Sequence, residues 1–174
     1  MKRNLVISFI GNDKPGLVRS ISDVVNSNHG NWLESRMSQL ANRFAGVAVI
    51  EVEKEHFDIL RYALENLEGI SSLVEEAETD TEVKNTRVLG LNIVGPDRPG
   101  ILHDVTRALE KHVANVVEME TNIAAAPMSG ELTFSADANI EVPFEMDWRV
   151  IAELLDRVAD DLGIDILLDE EPDQ

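Results

Sequence analysis

The sequence contains no cysteine, and this absence limits what the protein can do. Without thiols the chain has no disulfide, no thiolate zinc site and no cysteine nucleophile. Long apolar runs are also missing: no run approaches the ~20 residues that a membrane-spanning helix needs. The N-terminal LVISFI run is too short for a signal peptide, and no small-residue cleavage site follows it. We therefore expect a cytoplasmic protein that does not enter a membrane.

Basic residues are scarce, with 15 Lys and Arg against 33 Asp and Glu, which gives a net charge of −18 at pH 7. Residues 1–86 carry 9 basic and 14 acidic groups, whereas residues 87–174 carry 6 and 19. Affinity for DNA and RNA depends largely on Lys and Arg that neutralise phosphates. Direct binding to nucleic acid is therefore not expected, and a role in gene regulation would need a protein partner.

Sequence motifs of common enzymes are absent as well. The chain has no H-E-x-x-H zinc motif, no P-loop ending in Gly-Lys-Ser/Thr and no G-x-S-x-G elbow. The histidines are His29, His56, His103 and His112, and their spacing fits no metal site. We expect His103 to be exposed and His112 to lie partly buried on an apolar helix stripe. The sequence thus predicts a protein without catalytic residues, cofactor or metal.

The sequence does contain an internal repeat, which is most visible in GNDKPGLV at 11–18 and GPDRPGIL at 95–102. An ungapped alignment of residues 5–46 with residues 89–130 gives nine identical pairs among 42, including Gly46 with Gly130. Apolar positions coincide across the same alignment. Two copies of one structural unit are therefore predicted.

Each copy has the pattern of strand, helix, strand, strand, helix, strand. Short apolar runs at 5–10 and 88–94 predict buried first strands, and apolar residues at helical spacing follow each Pro-Gly. Gly30 is expected to end the first helix in a left-handed conformation. Strict alternation in the second strand would place Trp32 on the face opposite Leu33 and Met37. About ten extra residues are expected in copy two, between its third strand and second helix.

These elements predict an α+β protein with two tandem βαββαβ units. In each unit, the helices are expected to cover one face of an antiparallel four-stranded sheet, as in ferredoxin-like domains. The predicted boundaries are a first domain at 1–80, a linker at 81–87, a second domain at 88–170 and an acidic tail at 171–174.

The repeated loop allows two interpretations on its local chemistry. Asp-x-Pro-Gly is a serviceable turn, in which Asp13 would accept hydrogen bonds from nearby backbone N–H groups. It would equally suit a free amino acid, because Asp13 can bind an ammonium group and the following helix N-terminus can bind a carboxylate. Gly16 would let such a ligand approach the backbone.

The βαββαβ order with D-x-P-G before the first helix resembles the ACT domain family over residues 3–170. The resemblance implies small-molecule-binding regulatory domains, with the ligand between two units against the first loop and the start of the second strand. The site residues that it implies here are Asp13, Gly16, Leu17 and Asn31 in copy one, and Asp97, Gly100, Ile101 and Asn115 in copy two. Asn31 and Asn115 can equally be read as turn residues before a strand.

Pairs of ACT domains that fill a whole chain resemble bacterial accessory regulators of glycine cleavage genes. That resemblance implies an amino-acid ligand, with glycine as the candidate, and a DNA-binding transcription activator as the protein partner. It also allows a homo-oligomer. A regulatory subunit that binds a metabolic enzyme is the alternative function.

Overall fold

The computed structural model describes residues 1–77, 85–111, 114–127 and 129–170. The chain divides into two compact units, Met1–Thr81 and Glu82–Gln174, which we call unit 1 and unit 2. The residues that join them lie outside the described ranges, as do most of the predicted linker at 81–87, the predicted tail at 171–174 and His112.

Unit 1 has the predicted order of elements. Its bounds are β1 Lys2–Asn12, α1 Leu17–Ser27, β2 Asn31–Leu40, β3 Arg43–Glu53, α2 Phe57–Glu65 and β4 Ile70–Glu76. The four strands form an antiparallel sheet in the order β2-β3-β1-β4, with β1 and β3 in the centre. This is the strand order of a ferredoxin-like domain.

Unit 2 repeats this arrangement. Its bounds are β5 Thr86–Pro96, α3 Ile101–Glu110, β6 Asn115–Ala125, β7 Leu132–Pro143, α4 Trp148–Leu162 and β8 Asp165–Glu170. The antiparallel sheet has the order β6-β7-β5-β8. The predicted fold class, two tandem βαββαβ units, is therefore confirmed.

Each unit has its own apolar core between one sheet face and its two helices. In β1 every second residue is buried, namely Leu5, Ile7 and Phe9, because side chains alternate between the two faces of a strand. The predicted helix stripes supply the other side of the core. In unit 1 they are Leu17, Ile21 and Val25 from α1 with Phe57, Leu60 and Leu64 from α2.

The first helix of unit 1 ends differently from the prediction. The left-handed residue is His29, with φ 61°, and the backbone N–H groups of His29 and Gly30 donate to the carbonyls of Asn26 and Val25. These two bonds form a Schellman motif with His29 at its left-handed position. Gly30 instead allows close packing of the side chains around it, because a Cβ there would lie 2.9 Å from both Leu60 Cδ2 and Val25 Cγ1.

The extra residues of unit 2 also lie elsewhere than predicted. Most are in the hairpin between its second and third strands, where a two-residue turn joins Leu40 to Arg43 in unit 1 and a six-residue loop joins Ala125 to Leu132 in unit 2. Gly46 therefore lies within β3, whereas Gly130 lies in the β6–β7 loop with φ 73°. Their alignment in the ungapped comparison does not reflect equivalent positions.

A cluster around Arg3 holds three elements of unit 1 together. The guanidinium of Arg3 pairs with the carboxylate of Glu76 in β4, and its Cζ lies 3.5 Å from the ring centroid of Phe57 at the start of α2. The hydrogen bond from Arg3 lowers the pKa of Glu76, and the same bond raises the pKa of Arg3.

Candidate functional site

The loop after β1 folds as a tight turn into α1. Gly16 has φ 90° and ψ 2°, which are the angles of the third residue of a type II turn, and Pro15 occupies the second position that favours proline. The N–H of Leu17 donates to the carbonyl of Lys14 at 3.3 Å and closes the turn. The turn interpretation of Pro-Gly is thus correct for the backbone of this loop.

The loop after β5 has the same backbone form. Gly100 has φ 101° and ψ −8°, and it also occupies the position immediately before the helix. In both loops the backbone N–H of the aspartate donates a hydrogen bond to a carbonyl at or just before the start of the third strand of its unit. Asp13 N donates to Asn42 O at 3.0 Å, and Asp97 N donates to Leu132 O at 2.9 Å. The sequence repeat is therefore a repeat of loop conformation.

The glycines are required for backbone conformation and not for packing. A Cβ built on Gly16 or on Gly100 would meet no atom within 4 Å, apart from those of the adjoining residues. The positive φ, however, lies in the left-handed region that L side chains tolerate poorly. Because no atom lies near either Cβ position, the space above each glycine is open.

The carboxylates of Asp13 and Asp97 are exposed and make no hydrogen bond or ion pair within the described residues. They do not cap the helices, because the residue before each helix is the glycine and no side chain caps α1 or α3. The part of the turn interpretation in which Asp13 accepts bonds from local N–H groups is therefore wrong, whereas its backbone turn is present. Both carboxylates are free to interact with another molecule.

The first turn of each helix also has unused donors. Ser20 N bonds to Gly16 O at 2.9 Å, whereas the N–H groups of Val18 and Arg19 have no hydrogen-bond acceptor within the described part of the chain. The same holds in α3 for the N–H groups of Leu102 and His103. The aligned peptides of a helix make such an end attractive to an anion.

Leu17 and Ile101 belong to the cores, with 3% and 2% of their surface exposed. Their side chains anchor the first turn of each helix to the sheet beneath it. Their side chains are inaccessible, so a contact between either residue and a ligand would have to come from the backbone.

Asn31 and Asn115 are exposed at the first residue of β2 and β6. Asn31 pairs with Glu51 near the end of β3, whereas the Asp13 loop follows Asn12, which pairs with Arg43 at the start of β3. The helix between them runs the length of the sheet, about 16 Å for 11 residues. Within one unit, the loop and the asparagine are therefore at opposite ends of the sheet.

A β-bulge follows each of these asparagines, and sequence reasoning missed it. The register shifts between Trp32 and Glu34 in β2, and between Val116 and Glu118 in β6. Trp32 therefore packs on the same core as Met37, contrary to the prediction, and Leu33 is 49% exposed. Adjacent apolar residues at 32–33 and 116–117 are the signal in the sequence, since they break the alternation.

Comparison with known proteins identifies the family of both units. The sequence pattern of the ACT domain family matches residues 3–71 and 87–168, which together span most of the chain. The protein belongs to the ACT domain family. Members of this family are regulatory domains that bind small amino acid ligands.

Several individual proteins are similar to this chain. An unknown protein from Galdieria sulphuraria is 30% identical, with a TM-score of 0.88 over 99% of this chain and 100% of the other. A "UPF0237 protein" from Methanococcus maripaludis is 32% identical over 66 residues, which are 37% of this chain and 73% of that protein. A candidate glycine cleavage system transcriptional repressor has a TM-score of 0.73 at 15% identity, over 99% of both chains.

None of the helices in the described residues is long and apolar enough to cross a membrane. Those residues also contain no group of three or more His, Asp or Glu side chains placed to hold a metal ion.

Proposed function

We propose that this protein is a non-enzymatic regulator that binds a free amino acid at its Asp-x-Pro-Gly loops. The observation that carries the proposal is the duplicated loop, in which an unpaired carboxylate precedes a left-handed glycine and a helix end with unpaired N–H groups. Membership of the ACT domain family supports the same function.

The two halves of the loop match the two charges of an amino acid. Asp13 or Asp97 would accept hydrogen bonds from the ammonium group, and the N–H groups of the first helical turn would donate to the carboxylate. The open space above Gly16 and Gly100 lets the ligand backbone approach. Glycine is the candidate, an assignment that rests on the likeness to the candidate glycine cleavage repressor.

The protein would act on genes through another protein. A net charge of −18 opposes direct contact with DNA phosphates. The proposed partner is a DNA-binding activator of glycine cleavage genes, which this protein would repress in the cytoplasm according to the amino-acid level.

The second candidate function is a regulatory subunit of a metabolic enzyme. It uses the same loops and ligand, so the partner alone distinguishes it from the first. Capture of partners from cell extract with the tagged full chain separates the two, because a transcription factor supports repression and a biosynthetic enzyme supports enzyme regulation.

Calorimetric titration of the full chain with each of the common amino acids tests ligand binding. We expect one of them to bind, and we expect Asp13→Ala and Asp97→Ala each to remove the heat that arises from its own loop. Asp23→Ala is the matched control, because Asp23 is an exposed helix carboxylate whose ion pair with Arg19 is 3.6 Å long. The absence of binding by every amino acid would contradict the proposal.

A further inference from the structure

Two histidine rings lie against each other in unit 1, away from the Asp-x-Pro-Gly loop. His29 follows α1 and His56 immediately precedes α2. Their ring centroids are 4.4 Å apart and their planes are inclined by 43°. The pair lies at the end of the sheet where β2 begins and β3 ends.

Neither histidine is placed there by the needs of local structure. His29 takes a left-handed conformation, with φ 61°, that glycine or asparagine would adopt at lower cost. His56 occupies the position before α2 but makes no side-chain cap. At the corresponding position of unit 2, Asp147 caps α4 by accepting a hydrogen bond from Arg149 N at 3.1 Å. The imidazoles therefore need another explanation.

The Nδ1 atom of His56 is buried and has no hydrogen-bond partner among the described residues. The nearest carboxylate oxygen, Oε1 of Glu55, is 3.9 Å away, which is too far for a hydrogen bond. Buried polar atoms without partners are rare in proteins, and an ion that the structure does not contain is one of the recognised explanations.

The separation of the rings fits shared coordination of one ion. A metal bound at about 2.0 Å from an imidazole nitrogen lies about 3.2 Å from the centre of that ring. If each ring directs one nitrogen at a shared ion, ring centres 4.4 Å apart subtend about 90° at that ion. This is the angle between neighbouring ligands in the square-planar or octahedral geometry of Cu²⁺ and Ni²⁺, and it is narrower than the tetrahedral angle of Zn²⁺.

We propose that His29 and His56 form a two-imidazole site for Cu²⁺ or Ni²⁺, with water in the remaining positions. His29 is exposed, so its ring can be reached from solution. No third His, Asp or Glu completes the site within the described residues. The site is independent of the proposed function.

Titration of the full chain with CuCl₂ and with NiCl₂, followed by calorimetry, tests the site. We expect one ion to bind per chain to the wild type. His29→Asn should weaken this binding by about tenfold or more, because one of two linked ligands is lost. Asparagine tolerates the left-handed backbone, so this variant keeps the fold. His103→Asn is the matched control, because His103 is an exposed residue of α3 in unit 2, and this variant should bind as the wild type does.

Electron paramagnetic resonance of the Cu²⁺ complex gives a second readout, with hyperfine coupling to two imidazole nitrogens in the wild type and to one in His29→Asn. Failure of both ions to bind the wild type would overturn the proposal. Equal affinity in the wild type and His29→Asn would overturn it too.

Discussion

The loop glycines allow a graded test of the turn geometry. Gly16 has φ 90°, and a side chain there would project into open space. Substitution by an L residue should therefore cost only the left-handed strain, about 1–2 kcal/mol. Replacing glycine also restricts the unfolded chain, which favours the folded state and offsets about 0.4–1 kcal/mol of that strain. Gly16→Ala should then lower the free energy of unfolding by about 1 kcal/mol.

A side chain at position 16 would meet no neighbouring atoms. The relative stabilities of variants at this position should therefore depend on backbone preference alone. Gly16→Asn should cost less than Gly16→Ala, and Gly16→Val should cost the most, since β-branched residues are the least tolerant of positive φ. Thermal unfolding followed by circular dichroism would report about 4–8 °C per kcal/mol for a domain of this size. The same order is expected at Gly100. A neutral Gly16→Ala, or a valine variant as stable as the asparagine variant, would refute the assigned turn geometry.

Two further predictions concern stability in unit 1. Ala41 has φ 49° in the two-residue β2–β3 turn, so Ala41→Asn should raise the free energy of unfolding by about 0.5–1 kcal/mol, and a lower midpoint in urea would contradict this. The hydrogen bond from Arg3 lowers the pKa of Glu76 below its ordinary value of 4.5. The pair therefore stabilises the fold at pH values above 4.5. This contribution is lost as the pH falls through the lower pKa that Glu76 has in the folded state. Glu76→Gln should therefore be less stable at neutral pH and should lose less stability on acidification, whereas parallel pH profiles for variant and wild type would exclude the effect.

The architecture could be predicted because its signals are local and repeated. Alternation at Leu5, Ile7 and Phe9 and the helix stripes specify which faces are buried, and duplication supplies each signal twice. The insertion in unit 2 was misplaced for a physical reason. A longer hairpin with an even number of extra residues keeps the inward and outward alternation of the strands, so the pattern does not reveal where the insertion lies.

Features that depend on packing could not be predicted. Gly30 looks like a helix terminator in the sequence, and only the proximity of Leu60 and Val25 shows that it makes room for side chains. The bulge that turns Trp32 inward depends on pairing with β3. The unpaired carboxylate of Asp13 could not be predicted either, because the same local sequence suits an aspartate that caps the helix and one that does not.

The central claim is that the Asp-x-Pro-Gly loops hold an amino acid. Titration followed by ¹⁵N–¹H correlation spectra tests it directly, since backbone amides report contact residue by residue. With the amino acid that binds, we predict that the largest shifts fall on amides within 13–19 and 97–103, among them those of Gly16 and Gly100. Saturable shifts confined to other parts of the chain, or no shifts with any amino acid, would contradict the account.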